Sequence, residues 1–156
     1  MFRKMVRVGQ QLSQEECIEI LKKEKRGVLS VIGDDGYPYG MPLNHYYVPE
    51  ENRLYFHGGM SGHKIDAMKR CDKVSYCVYG NGTQEDWYLT FKSVIVFGKV
   101  TFIEDKEIVK RISRELSYQF TDDNKYIDGE IERSLDRTLM FAIDIENMTG
   151  KYVREK

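Results

Sequence analysis

The amino-acid sequence predicts a mainly β protein in which an antiparallel sheet closes on itself, with helices at its periphery. Extended runs rich in β-branched and aromatic residues follow one another along the chain. Most of these runs are joined by short turns that contain glycine, asparagine or aspartate, and only single helices interrupt them. Consecutive strands joined by tight turns favour an antiparallel sheet over a parallel sheet with helical crossovers.

The first predicted element is a helix over about residues 14–25. Ser13 and Glu16 have the spacing of a capping box, and apolar residues follow at helical spacing. Gly27 is expected to end this helix. Residues 1–12 are expected to form an N-terminal arm.

The remaining elements are mostly strands. Asp34-Asp35-Gly36 forms the turn of a hairpin, and Gly98 is expected to bend or bulge the longest strand. The predicted strands cover residues 28–32, 37–48, 53–57, 74–79, 87–103 and 139–145. A short helix is predicted over residues 63–70 and another after Asp105. The apolar stripe of that later helix consists of Ile108, Ile112, Leu116 and Phe120.

Composition limits the possible functions. The chain has 24 basic and 25 acidic residues, so it lacks the positive field that would hold a nucleic acid. No apolar run approaches the length of a membrane span, and we expect one soluble, cytoplasmic domain over residues 1–156 that does not bind membranes. Cys17, Cys71 and Cys77 have neither disulfide-like nor zinc-site spacing, so we expect reduced thiols and no metal site.

The segment HGGMSGHK, residues 57–64, leads from a strand into a helix and has the composition of an anion site. Glycines let backbone N–H groups approach an anion, and a helix N-terminus carries partial positive charge. Ser61, His63 and Lys64 would add hydrogen-bond donors and a full charge, which suits a phosphate group. A mobile glycine turn with an exposed lysine is the alternative interpretation, since neither GxxxxGK[ST] nor GxGxxG occurs.

The segment YGMPLNH, residues 39–45, interrupts a regular strand. Pro42 cannot donate to a sheet ladder, which leaves the N–H of Leu43 or Asn44 available to a planar ligand. The Asn44 amide offers both a donor and an acceptor to the edge of a heterocycle such as a flavin. The alternative is an edge strand in which the proline prevents aggregation.

The long segment from Trp87 to Gly98 contains one polar residue on an otherwise apolar face. Alternation places Ser93 on the face of Leu89, Phe91 and Ile95. Its hydroxyl would donate to a ligand phosphate or ribityl group, or else to the backbone as in most buried serines.

The order of four segments along the chain is similar to that of a known family. The segments are GVLSVIGDDGYPYGMPLNHYYV, LYFHGGMSGHKIDAMKR, KVSYCVYG and SVIVFGKV. In this order they resemble the pyridoxamine 5'-phosphate oxidase-like FMN-binding split barrels, and among these the nitroimidazole-resistance branch, over about residues 11–151. The resemblance implies a six-stranded antiparallel split β-barrel that forms a homodimer and binds FMN between the subunits. It also implies an FMN-dependent oxidoreductase that reduces a small planar acceptor.

The resemblance assigns residues to the flavin. His63 and Lys64 would hold its phosphate, with Ser61 nearby. The full set implied at the cofactor is Met41, Pro42, Leu43, Asn44, Tyr55, Phe56, His57, Ser61, His63, Lys64, Ser93 and Val94. His57 is the candidate catalytic proton donor, because an unperturbed pKa of ~6.5 suits that role. The alternative for His57 is a strand histidine bonded to a neighbouring carbonyl; His45 has a weaker case, since it points away from the face of Asn44.

The chain departs from pyridoxamine phosphate oxidase in one respect. It ends NMTGKYVREK, without the arginine-rich segment that grips the vitamin phosphate, so vitamin B6 oxidation is not expected. Arg3, Lys4 and Arg7 would meet a second anion across the dimer or form a solvated tail. Two further functions are a non-catalytic flavin carrier or sensor, with its pocket closed by Trp87 or Tyr88, and a haem- or deazaflavin-binding split barrel.

Overall fold

The structure is a computed structural model that describes residues 1–154, and a single antiparallel sheet organises it. The strands in these residues are β1 (Arg26–Ile32), β2 (Pro38–Asn44), β3 (Tyr46–Val48), β4 (Arg53–Gly58), β5 (Lys73–Tyr79), β6 (Thr83–Glu85), β7 (Tyr88–Ile103) and β8 (Leu139–Arg154). The α-helices are α1 (Gln14–Lys23), α2 (His63–Arg70), α3 (Lys106–Ser117) and α4 (Asn124–Ser134).

The sheet curls around its core. The strand order is β2-β1-β5-β7-β8-β4-β3, with β6 paired to β7, and every pairing is antiparallel. The two outermost strands, β2 and β3, are consecutive in the chain and only His45 separates them, so the two ends of the sheet are brought back together. The predicted fold class, a mainly β split barrel with peripheral helices, is confirmed.

The number and length of the strands differ from the prediction. The resemblance implies six strands, whereas residues 1–154 contain eight. Residues 37–48 divide at His45, whose N–H bonds to the Lys25 carbonyl at 3.2 Å, and β6 is a short extra strand. Strand β8 continues past residue 145, because its polar second half pairs with the first half of β7. The irregularity predicted at Gly98 is confirmed as a register shift between Phe97 and Gly98.

Helix α1 begins as the sequence predicts and ends earlier. Ser13 and Glu16 form the capping box, with N–H to side-chain distances of 3.2 and 3.0 Å. The prediction that Gly27 ends the helix is wrong, since α1 ends at Lys23 and Gly27 lies in β1. A Cβ on Gly27 would come within 2.5 Å of the Cys77 carbonyl oxygen, so a glycine is needed where β1 approaches β5.

Helices α3 and α4 lie together beside the sheet. Asp105 caps α3 as predicted by accepting the N–H groups of Glu107 and Ile108. Phe120 does not continue the buried stripe of α3, because the helix ends at Ser117 and the Phe120 side chain is exposed. Helix α4 was not predicted, since Ile127 is its one fully buried residue and gives little helical periodicity. Within residues 1–154 no helix is long and apolar enough to cross a membrane.

Two apolar cores lie on opposite faces of β4. Phe56 packs in the main core inside the curled sheet with residues such as Leu29 and Tyr76. Tyr55 packs on the other face against Ile112 of α3. Side chains of β4 therefore alternate between the barrel interior and the helix-covered face, and His57 follows Tyr55 on the helix side.

Candidate functional site

Two adjacent concavities share Asn44 and His57 in their walls. The first, named here the β2 groove, has a volume of about 290 Å3 and is also lined by Arg26, Pro42 and Leu43. The second, named here the helical cavity, has a volume of about 340 Å3 and is bounded mainly by residues of α3 and α4. The structure thus brings together Pro42, Leu43, Asn44 and His57, which the family resemblance assigned to the cofactor.

Asn44 is oriented by an arginine that the sequence interpretation missed. The Nε of Arg26 donates to Asn44 Oδ1 at 2.7 Å, and the two residues are register partners at the open end of the β1–β2 hairpin. With its oxygen engaged, the Asn44 amide has its NH2 group left for a ligand. Counting outward from the Asp34–Gly36 turn would have placed Arg26 opposite Asn44, so the signal was present in the sequence.

A buried polar relay supports the strand on which Asn44 lies. The Tyr76 hydroxyl donates to the Leu43 carbonyl at 2.8 Å and lies 2.9 Å from His45 Nδ1, while His45 Nε2 lies 2.8 Å from the Leu21 carbonyl. Burial lowers the pKa of His45 and raises that of Tyr76. His45 is buried, whereas Asn44 is half-exposed, in line with the expectation that the two point to opposite faces, and Tyr76 links His45 to the Leu43 backbone.

His57 stands on the rim shared by the two concavities. Its side chain is solvent-accessible, but the walls around the imidazole limit its hydration, and this desolvation lowers its pKa. The imidazole is therefore predominantly neutral at pH 7. An accessible imidazole that borders both concavities is placed to exchange a proton with a molecule in either of them.

The loop after β4 has the features of an anion site. Gly62 precedes α2 and has a φ of 129°, a backbone conformation that glycine adopts without strain. No side chain caps the N-terminus of this helix. The Ile65 N–H donates to the Gly62 carbonyl at 2.9 Å, so the amides of His63 and Lys64 are the ones offered to an anion. The Lys64 Nζ lies near the β4 end, 3.8 Å from where a Cβ on Gly58 would be, and Ser61 is exposed in the same loop.

His63 is partly committed to the β1–β2 hairpin. Its Nε2 accepts the Asp34 N–H at 3.2 Å, and its ring stacks on Tyr39 with centroids 4.2 Å apart. Arg70 also bonds to the Asp34 carboxylate, at 2.7 Å, so both ends of α2 are fixed to the hairpin turn. Only Nδ1 of His63 is left for a phosphate.

Several residues that the resemblance assigned to the flavin have buried side chains. Met41, Phe56 and Val94 contribute to the main core, and Tyr55 packs under α3 with its hydroxyl donating to Glu51. Their side chains are committed to packing, and Tyr55, Phe56 and Val94 lie in strands that are paired on both sides. The sequence interpretation did not separate these residues from their outward-facing neighbours.

Ser93 lies on the outer face of the sheet, away from the main core. It is half-buried and pairs in register with Tyr79 of β5 and Lys151 of β8. Further along this face Ile95 and Phe97 are both 41% exposed. The outer surface of β7 therefore exposes apolar side chains, with Ser93 between Phe91 and Ile95.

The sequence of the chain matches a known family along most of its length. A family model for pyridoxamine 5'-phosphate oxidase matches residues 13–152. A search of curated proteins gave no match.

The fold is similar to several solved structures. A candidate 5-nitroimidazole antibiotic resistance protein of Bacteroides thetaiotaomicron aligns with a TM-score of 0.78 at 20% identity, over 91% of this chain and 86% of that one. An FAD-binding protein of Mesorhizobium loti gives 0.68 at 25% identity, over 93% and 98%. An FAD and heme binding protein of Mycobacterium smegmatis gives 0.75 at 18% identity, over 93% and 74%.

Proposed function

The chain belongs to the pyridoxamine 5'-phosphate oxidase family, and from that premise we propose that it binds FMN and reduces a small planar acceptor. The observation that carries this proposal is the β2 groove, in which an oriented amide and an accessible histidine lie side by side. An anion loop begins one residue after that histidine. Together they suit an elongated ligand with a heterocycle at one end and a phosphate at the other.

The residues of the loop fit the phosphate end of FMN. The uncapped N-terminus of α2 offers backbone donors, Lys64 offers one full positive charge, and Ser61 and His63 Nδ1 add donors. One lysine matches a single phosphate monoester better than a pyrophosphate, which favours FMN over FAD. The FAD-binding proteins of similar fold make FAD the alternative, and mass spectrometry of the released flavin distinguishes the two.

The residues of the β2 groove fit the ring end. Pro42 presents a flat apolar surface, the Asn44 NH2 group donates, and Arg26 keeps the amide in one orientation. A bound flavin would supply electron or hydride transfer, which no side chain can supply. Asn44 would orient the ring edge, and an imidazole nitrogen of His57 would give a proton to the acceptor.

The alternative functions are separable by simple observations. A flavin carrier with a pocket closed by Trp87 or Tyr88 is disfavoured, because Trp87 is 73% exposed and neither residue lines the β2 groove or the helical cavity. A haem- or deazaflavin-binding barrel would show a different absorbance spectrum from an FMN protein. The spectrum of the purified protein therefore tests the identity of the cofactor.

Replacing Lys64 by alanine tests the phosphate assignment. The variant removes one charge-assisted contact, and we expect FMN affinity to fall by about 2 kcal/mol, or ~30-fold. Lys69→Ala, which removes an exposed lysine from the last turn of the same helix, should leave affinity unchanged. Fluorescence titration with FMN and with riboflavin measures both, and the Lys64 effect should vanish for riboflavin. An equal loss for the two ligands would place the phosphate elsewhere.

We also propose that two copies of the chain associate through the outer face of β5 and β7. This face exposes the apolar side chains of Tyr79, Leu89, Ile95 and Phe97, and exposed apolar side chains of this kind mark protein interfaces. Ser93, which the resemblance assigns to the flavin, lies on the same face, so association would bring a second subunit to that residue. The small-molecule acceptor would enter from the helical cavity.

Sedimentation velocity tests this interface. We expect the wild type to sediment as a dimer and Ile95→Asp as a monomer, because a buried unpaired carboxylate opposes association. Lys110→Asp places a carboxylate on the exposed side of α3 and should remain dimeric. A monomeric wild type, or a dimeric Ile95→Asp, would remove this interface from the proposal.

A further inference from the structure

The helical cavity has a chemistry of its own that the flavin site does not require. Its volume of about 340 Å3 is at the small end of the range of ligand pockets and suits a molecule of one or two rings. Apolar walls come from Leu116, Phe120, Tyr126 and Ile131. The cavity touches the β2 groove through Asn44 and His57, so its occupant would lie beside the proposed flavin.

Two serine hydroxyls and one carboxylate in its wall offer hydrogen-bond acceptors. The Ser117 hydroxyl donates to the Ser113 carbonyl at 2.7 Å, and the Ser134 hydroxyl donates to the Glu130 carbonyl at 2.6 Å. Their hydrogens are thus committed to the helices, while their oxygen lone pairs remain. The Glu130 carboxylate, when ionised, is an acceptor only.

The charge of the wall is negative. Glu130 lines the cavity, and no lysine or arginine in residues 1–154 does so. Arg133 pairs with Glu130 from the same helix and offsets part of its charge, but the two side chains are 64% and 48% exposed, so water screens the pair. The surrounding segment, residues 121–134, contains five acidic and two basic residues.

A cation already in contact with an aromatic residue of the wall shows how an occupant could be held. The Lys25 ammonium lies 5.1 Å from the centre of the Phe120 ring and bonds to the Gln119 carbonyl at 2.6 Å, although Lys25 does not line the cavity. Aromatic rings attract cations through the negative potential of their faces. Phe120 and Tyr126 therefore add to the preference set by Glu130.

We propose that the helical cavity selects small aromatic molecules bearing a cationic or hydrogen-bond-donating group, and rejects aromatic anions. This inference rests on the proposed function, for which it names the class of acceptor. An oxidase of a phosphorylated vitamin needs basic residues around the phosphate of its substrate. The proposed acceptor class therefore distinguishes this chain from such an oxidase. The wall of this cavity supplies Glu130 in their place.

Three probes that share one ring test the proposal. Benzamidine is a cation, benzamide is neutral and benzoate is an anion, and calorimetric titration of the purified protein gives the affinity of each. We expect benzamidine to bind more tightly than benzamide, and benzoate most weakly. Benzoate binding as tightly as benzamidine, or no binding of benzamidine at millimolar concentration, would overturn the proposal.

Three variants test whether the probes bind in the helical cavity. Glu130→Gln should weaken benzamidine binding about fivefold and leave benzamide unchanged, whereas Glu132→Gln, on the exposed side of the same helix, should change neither. Ile131→Trp fills the cavity and should abolish benzamidine binding. An unchanged benzamidine affinity in either Glu130→Gln or Ile131→Trp would overturn the assignment to this cavity.

Flavin binding is measured separately in the wild type and in the same variants. Ile131→Trp and Glu130→Gln should bind FMN as the wild type does, since neither residue lines the β2 groove. If the wild type binds no flavin, the proposed function fails while the order of the three probes still decides the chemistry of the cavity. If flavin binds and the order is reversed, only the inference about the acceptor fails.

Discussion

Replacing His57 by alanine is expected to slow the single-turnover reduction of a nitroaromatic compound about 100-fold, while the flavin stays bound. The expectation follows from position: the imidazole stands on the rim between the β2 groove and the helical cavity. At this position the imidazole can donate a proton to the molecule that is reduced in the helical cavity. Without the imidazole, the reaction loses the rate increase that general acid catalysis provides. Stopped-flow absorbance of the photoreduced protein measures this rate, and the flavin stoichiometry of the variant is its control.

The pH dependence of the rate separates a proton donor from a structural residue. Desolvation lowers the pKa of His57 from its ordinary value of 6.5, so its protonated fraction increases as the pH falls through that lowered value. The wild-type rate should therefore rise as the pH falls below 6.5, and the rate of His57→Ala should lack this rise. Added imidazole should restore part of the lost rate. Equal rates in the two proteins, or a pH profile that survives the substitution, would make His57 a structural residue.

Local patterns in the sequence were sufficient to predict the secondary-structure elements that surround the candidate site. The glycine loop and α2 lie where the spacing predicted them, and so does the capping box of α1. Each is set by neighbours within a few positions, which is the range that propensity and capping rules describe. The proline in β2 also indicated correctly a strand whose outer side is accessible.

The parts that were missed depend on contacts between distant segments. The helical cavity exists because α4 packs beside α3 and lines the same space as His57 of β4, and α4 has too few apolar residues to be recognised from its periodicity. Met41 and Val94 are next to outward-facing residues, and which face of a strand is covered is decided by pairing and packing along the whole sheet. A resemblance assigns a stretch of chain to a ligand, but the fold decides which of its side chains can reach it.

Gly27 is another residue whose role depends on contacts between distant segments of the chain. Its replacement is expected to change the stability of the fold. In the sequence it resembles a helix end, whereas in the fold it lies in β1 where Tyr76 of β5 crosses closely. A Cβ there would come within 2.7 Å of Tyr76 Cζ and 2.5 Å of the Cys77 carbonyl oxygen. The Tyr76 ring would have to move, and the Cys77 carbonyl overlap would in addition strain the ladders that hold β5 between β1 and β7.

Gly27→Ala is therefore expected to lower the free energy of unfolding by about 3 kcal/mol, since overpacking is joined by the loss of buried hydrogen bonds. Displacing Tyr76 leaves the Leu43 carbonyl and His45 without their partner. Gly40→Ala is the matched control: its Cβ would be 3.4 Å or more from its neighbours, so urea denaturation should show little change. Tyr76→Phe separates the two causes, because it removes the hydroxyl without the overlap and should cost about 1–3 kcal/mol. If Gly27→Ala were as stable as Gly40→Ala, β1 and β5 would not be held at this separation, and the relay would not fix the strand that carries Asn44.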